Sequence, residues 1–194
     1  MIIATTTEQG TEEDTETTSR VTRSMFDNFM RRPSIEDQAI RTIASMANND
    51  LSMMNPENDD AVLCDAAFVF LDRNKARFLI SGKSAAWHFE DGKLKNRSSR
   101  DAAPQIGSGR YYEPHLEPVF ELKQGKNAIL AASQTLAEQV SDEEIEKALN
   151  ESASPEEWME RLVNLVGEDK QFCAITAFLP SEKPSLLKSL FHRS

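Results

Sequence analysis

The stretch Ala61-Val-Leu-Cys-Asp-Ala-Ala-Phe-Val-Phe-Leu71 opens a run of short apolar segments that decides the fold. It is followed by Ala76-Arg-Phe-Leu-Ile80, Ala85-Ala-Trp-His-Phe89, Val119-Phe-Glu-Leu122 and Asn127-Ala-Ile-Leu-Ala131. Two capped helical segments come next, and then a last run, Phe172-Cys-Ala-Ile-Thr-Ala-Phe-Leu179. Strands, then helices, then a closing strand predict an α+β domain built as a layered sandwich. Asp91-Gly92, flanked by apolar alternation, is a hairpin signal, so 76–80, 85–89 and Lys93-Leu94 are expected to pair as a meander. Lys123-Gln-Gly-Lys126 reads as a further turn. Lys95 to Tyr112 is poor in apolar residues and reads as a long loop of functional or mobile character.

Working outward toward the N-terminus, residues 5–18 are nearly all Thr, Glu, Asp, Gln and Gly, a composition expected for a mobile loop or a solvated strand edge. Glu12, Glu13, Asp14 and Glu16 lie close together there, either as a solvated acidic loop or as ligands for a hard cation. Val21, Met25, Phe26 and Phe29 recur at helical spacing from Ser19 to Arg31, and Pro33 ends the pattern. Ser34 with Asp37 three residues on marks a second helix start. Ile35, Ala39, Ile40, Ile43, Ala44 and Met46 follow, with an expected end near Asn48-Asn49-Asp50. Asn55-Pro-Glu-Asn-Asp-Asp60 is a loop by its turn chemistry.

Toward the C-terminus, Ser141-Asp-Glu-Glu144 is a capping box, and Ser154-Pro-Glu-Glu157 repeats the signal with Pro155 at the first helical position. Trp158, Leu162, Val163 and Val166 form the stripe of that helix and Gly167 stops it. Residues 1–180 are expected to form a single domain. The tail, 181–194, carries Leu186, Leu187, Leu190 and Phe191 on one helical face, as a docked helix or as a partner-binding segment.

Bulk properties narrow the function. With 39% hydrophobic and 28% charged residues, and no apolar run near the ~20 residues of a bilayer span, a membrane span is excluded. Ile2-Ile3 passes straight into Thr5-Thr-Thr-Glu-Gln-Gly10 without a basic region and apolar core, so a cytoplasmic location is expected. A formal charge of −10 with scattered Lys and Arg argues against nucleic acid as the ligand. Cys64 and Cys173 lack metal or redox spacing and read as buried small hydrophobes. His88, His115 and His192 are far apart and no Ser or Cys carries an activating motif, which speaks against metal-free acid–base or nucleophilic catalysis.

Several strings together resemble a known family. Asp72–Leu94, Pro104–Val140 and Ser141–Pro180 resemble the metal-dependent protein phosphatases of the PPM type, the type 2C serine/threonine phosphatases. Gly82-Lys-Ser-Ala-Ala-Trp87 before Glu90-Asp-Gly-Lys93 stands where the family has Gly-Asp-Ser-Arg-Ala-Tyr and a hairpin turn. Pro104-Gln-Ile-Gly-Ser-Gly109 and Glu117-Pro-Val-Phe-Glu-Leu122 precede Ile129-Leu-Ala-Ala-Ser-Gln-Thr-Leu136, which stands where the family has Leu-Leu-x-Ser-Asp-Gly-Leu. Val140-Ser-Asp-Glu-Glu-Ile145 and Ala153-Ser-Pro-Glu-Glu157 match best. The resemblance implies a PPM-type phosphatase-like β-sandwich flanked by α-helices, shortened at the N-terminus.

The family holds two Mn²⁺ or Mg²⁺ ions with clustered carboxylates. At the matching positions this chain has Gln134 for the Asp of Ser-Asp-Gly and Lys83 for the Asp of Gly-Asp-Ser. Of the Asp-Asn pair only Asp169 remains, followed by Lys170, and no Asp-Gly-x-Gly-Gly occurs. At ~4 Å and an effective dielectric of ~20, each unit charge pair is worth about 4 kcal/mol, so these exchanges weaken a dication site severely. The Lys83 ammonium, paired with Asp169, is expected to fill the vacated cation position. The resemblance therefore implies a pseudophosphatase with no cofactor, acting in signalling on a protein partner such as a kinase or phosphoprotein. Expected contact residues are Arg97, Arg100, Arg110, Tyr111 and Tyr112 in the long loop and Leu187, Leu190 and Phe191 in the tail. The alternative is an active Mn- or Mg-dependent serine/threonine phosphatase with ligands displaced to Glu12, Glu13, Asp14 and Asp169.

Overall fold

A computed structural model describes residues 1–6, 12–54, 62–98, 103–123, 125–167 and 170–179. The side chains of Ile3, Thr6, Glu12, Glu13, Asp14 and Tyr111 fall outside this description. The chain opens with β1 (Ile2–Thr6), α1 (Glu12–Arg31) and α2 (Asp37–Ser52). Four strands follow: β2 (Asp65–Asp72), β3 (Lys75–Ser81), β4 (Ala85–Glu90) and β5 (Lys93–Arg97). A short 3-10 turn at Gly109–Tyr111 leads to β6 (His115–Leu116), β7 (Phe120–Glu121) and β8 (Asn127–Ala132). The last elements are α3 (Gln134–Gln139), α4 (Asp142–Asn150), α5 (Pro155–Val166) and β9 (Ala174–Leu179).

The strands form two sheets. One runs β1-β2-β3, with β6 and β7 both paired to the far side of β3; the other runs β5-β4-β8-β9, and every pairing is antiparallel. β2, β3, β4 and β8 read as nearly continuous apolar runs because both of their faces are covered, one by the opposite sheet and one by helices. Ile2, Ala4, Ala67, Val69, Phe78, Ile80, Ala86, Ile129 and Ala131 form the core between the sheets. On the outer face of the first sheet, Phe68, Phe70 and Leu79 meet Val21, Met25, Phe29, Ile40 and Ala44 of α1 and α2. On the outer face of the second, Trp87, Phe89 and Leu130 meet Leu136, Ile145, Trp158 and Leu162. The result is four layers, α-β-β-α, which is the expected sandwich with helices on both sides.

Several expectations need correction. The helix starts at Glu12, so 12–18 is not loop; acids in a first turn complement the dipole, and Thr17 is buried. Helix α2 begins three residues after Ser34. The Ser34 hydroxyl accepts from the Glu36 backbone N–H (3.3 Å), which makes it a turn residue rather than the cap, and the helix runs on to Ser52. Phe26 (45% exposed), Met46 (44%) and Val163 (39%) point outward, one helical position off the stripes that carry the packing. The second strand starts at Asp65, while Cys64 bonds Ile106 in an isolated bridge. Part of the long loop is ordered by that bridge: Ile106 is fully buried, and Lys95–Arg97 extend β5. The expected 119–122 strand shrinks to Phe120–Glu121, with β6 added before it.

The capping box at Ser141 is complete, and its N–H and hydroxyl hold the Glu144 carboxyl below its usual pKa. At Ser154 the hydroxyl accepts from Glu157 N–H, while the Glu157 carboxylate reaches Ala153 N–H. Gly167 closes α5 at φ 97°, as the sequence predicts. Among the described residues no helix is long and apolar enough to cross a membrane.

Candidate active site

Strand alternation carries one set of side chains into the space between the sheets, and the register brings several of their ends together. Ala66 of β2 lies opposite Ser81 of β3, Ala85 of β4 opposite Ala132 of β8, and Ala132 opposite Ala174 of β9. The β1 strand ends beside them, with Thr5 paired to Ala66. One end of the sandwich is therefore built from the start of β2, the β3–β4 turn, the exit of β8 and the entry to β9. Asp65 shares the inward side of Ala67 and Val69, and Cys173 joins the inter-sheet core.

The polar groups at this end are few. Asp65 is 7% exposed, and its carboxylate lies against Gly82, so a Cβ added to that glycine would stand 1.6 Å from Oδ1. Gly82 has φ 66°, and its backbone exchanges hydrogen bonds with Ala103. Ser81 donates to the Pro104 carbonyl (2.6 Å). Ser84 is 3% exposed, and its hydroxyl has no hydrogen-bond partner among the described residues. Ser133 accepts from Cys173 N–H (3.1 Å), and Ser133 N–H donates to the Cys173 carbonyl (2.8 Å). Burial pushes the Cys173 thiol pKa up, against a smaller lowering from the Thr5 backbone. Cys64 is buried as expected, whereas Cys173 is only half-buried.

The positions singled out by the resemblance fall at or near this end. Lys83 sits in the β3–β4 turn and Gln134 opens α3 directly after Ser133. Lys83 is exposed and follows Gly82, whose φ is 66°. Gln134 gives its amide to Glu138 (2.5 Å), and Lys170 gives its ammonium to Gln139 (2.5 Å) on the same helix. Asp169 lies outside the described residues.

Among the described residues no three His, Cys, Asp or Glu side chains converge. A pair of hard divalent ions demands several anionic oxygens. The described donors at this end are three hydroxyls, a protonated thiol, a committed amide and one carboxylate, and this set alone does not fit such a pair.

The expected contact residues divide. Arg97 is committed inside the molecule: it pairs with Asp142 and lies 5.5 Å from the Trp87 ring centroid, so it is not a surface contact. Tyr112 packs on the α1–α2 core with its hydroxyl turned inward toward Ser81 and Cys64, and burial raises its pKa. It too is an anchor rather than an interface residue. Arg110 is exposed. Arg100, Leu187, Leu190, Phe191 and the Tyr111 side chain lie outside the described residues.

His88 is 1% exposed and satisfied on both nitrogens. Asn96 Nδ2 donates to Nδ1 (3.1 Å), Nε2–H donates to Asn127 Oδ1 (2.9 Å), and the ring stacks on Phe120. Burial lowers its pKa, and the Asn127 bond opposes this. It is a packing residue, as its strand position predicts. His115 pairs only with Glu117 (2.8 Å). The Ser84–Ser133–Cys173 corner was not singled out from sequence; its signal is a small polar residue at the inner-face position next to each apolar strand, just before β4 and β9 and just after β8.

No protein-family model and no curated protein matches the chain. Solved structures do. A bacterial serine phosphatase superposes with a TM-score of 0.77 at 15% identity, over 93% of this chain and 86% of its own. PppA, described as a key regulatory component of T6SS in Pseudomonas aeruginosa, gives 0.73 at 16% over 91% and 85%. The catalytic domain of the serine/threonine phosphatase PstP in complex with two manganese ions gives 0.69 at 18% over 92% and 87%. The chain therefore has the fold of the PPM-type serine/threonine phosphatases, in a shortened form.

Proposed function

We propose that this chain is a catalytically inactive phosphatase-fold domain that binds a protein partner, a kinase or a phosphoprotein, in cytoplasmic signalling. The observation that supports it is the set of described donors at the inner end of the sandwich: Ser84, Ser133, protonated Cys173 and, among the described residues, one carboxylate, Asp65, flanked by exposed Lys83. A two-metal hydrolase activates water and clamps phosphate through its ions, so an end poor in anionic oxygens supports recognition without turnover. Arg110 is the described residue best placed for a phosphate or acidic contact, since a guanidinium offers a planar, permanently charged fork.

A second reading, an active Mn- or Mg-dependent phosphatase, is favoured by the two manganese ions in the PstP structure. In this chain it would draw on Asp169 and on Glu12, Glu13 and Asp14. Thermal unfolding with and without millimolar Mn²⁺ and Mg²⁺, alongside an aryl phosphate assay, separates the two. A ligand of the native state at a hundredfold its Kd stabilises by about 2.7 kcal/mol. The expected outcome is an unchanged Tm and no metal-dependent turnover. Turnover that needs Mn²⁺ and disappears in Asp169→Asn would overturn the proposal.

A further inference from the structure

Among the described residues the β9 strand is the outer strand of its sheet, paired to β8 alone. Its sequence, Ala174-Ile-Thr-Ala-Phe-Leu179, contains no charge, no proline and no bulge, and its pairing with β8 is regular along its length. Natural edge strands are shielded by charge, by proline, by a bulge or by a covering segment. The first three are absent here, which leaves the fourth.

The apolar surface on this edge faces both ways. Ile175 is 38% exposed on the side of the inter-sheet core, and Phe178 is 37% exposed on the helix side, its ring 6.2 Å from that of Trp158. Exposure on both sides of one strand marks an edge that lacks its next layer. The flank is acidic: Thr176 donates to the carbonyl of Pro155, and Glu156, Glu157 and Glu160 are exposed on the first turns of α5 beside it.

We infer that this edge is the docking site of the chain's own segment 180–194. Three observations select that occupant. The segment leaves the last residue of β9, so its tether keeps it at a high effective concentration over this edge. Its Leu186, Leu187, Leu190 and Phe191 share one helical face and supply the missing apolar layer. It carries Lys183, Lys188 and Arg193 against Glu182 alone, in a chain whose formal charge is −10, so its sign is opposite to that of the α5 flank. A second copy is disfavoured because two such edges would bring their glutamates together. The inference stands whether or not the phosphatase site is active.

The test uses the full chain with a photoreactive phenylalanine analogue in place of Phe191. Illumination is expected to give a cross-link within one chain, mapped by mass spectrometry to 174–179 or to the exposed face of α5. Leu187→Asp, a change within the segment itself, should cut that yield several-fold, and raised salt should lower it. A cross-link to the exposed Phe26, Met30 and Met46 face of α1 and α2, a cross-linked dimer, or no cross-link in a chain that melts normally would each overturn the inference.

Discussion

At the scale of single residues, two glycines form a natural control pair. Gly82 and Gly109 both have positive φ, 66° and 79°, yet a Cβ at Gly82 collides with the Asp65 carboxylate, whereas at Gly109 it meets nothing within 4 Å. Left-handed backbone costs a non-glycine residue about 1–2 kcal/mol, so Gly109→Ala should lose about that much in urea unfolding. Gly82→Ala should lose clearly more, because Asp65 must also move. Lys83 next to it is solvent-facing, and Lys83→Asp should stay within about 0.5 kcal/mol of the parent chain. His88 gives a pH signature. Its pKa is depressed in the folded state, so below about 6.5 the unfolded chain takes up a proton that the native chain refuses. Stability is therefore fully present above that pH and falls as pH drops toward the folded value. The difference between parent and His88→Gln in urea titrations from pH 7.5 to 5 should show that slope, and the His88 ring resonances should not titrate near 6.5.

At the scale of elements, two carboxylates fasten α4 to the second sheet. Asp142 accepts from the buried Trp87 indole N–H (2.9 Å) and pairs with Arg97, while Lys93 and the Leu94 N–H hold Glu146 one turn on. Asp142→Ala leaves the Trp87 N–H without its acceptor, and a buried donor left unpaired costs about 1–3 kcal/mol. Asp142→Asn keeps an acceptor for Trp87 and should fall between Ala and the parent in chemical denaturation. Phe70, fully buried, tilted against Phe29 of α1 and stacked on Phe68, fixes the other helical layer. Its replacement by Ala should cost about 3–5 kcal/mol.

These same elements show what local sequence discloses. The Ser141 box, Pro155, Gly167 and the Asp91-Gly92 turn were legible because each is a short-range rule satisfied within four residues. The start of α1 and the ordering of 103–112 were not. The first depends on packing α1 against β1, where the Thr22 and Thr5 hydroxyls meet at 3.2 Å, and the second on a bridge between Cys64 and Ile106, distant in sequence. Arg97 and Tyr112 were misjudged for the same reason: a loop-like string does not reveal that Asp142 and the α1–α2 core will claim them.

At the scale of the whole molecule, the sandwich was legible because strand order and helix caps restrict the topologies to a few. The end that carries the candidate site was legible only as a set of substitutions at Lys83, Gln134 and Lys170. Where Ser84, Ser133 and Cys173 gather depends on the register of three strands, β4, β8 and β9, which no single string encodes. One arrangement, β1 locked against β2 with all of α1 and α2 between them, also sets a timetable. The β1 segment leaves the ribosome before its partner and has no sheet to join until Asp65–Asp72 has emerged. Closing so long a loop is entropically slow, whereas the β2–β3 and β4–β5 hairpins zip locally. Nascent chains caught in that interval expose Ile2 and Ala4, and a strand synthesised well ahead of its partner is among the last to reach its seat.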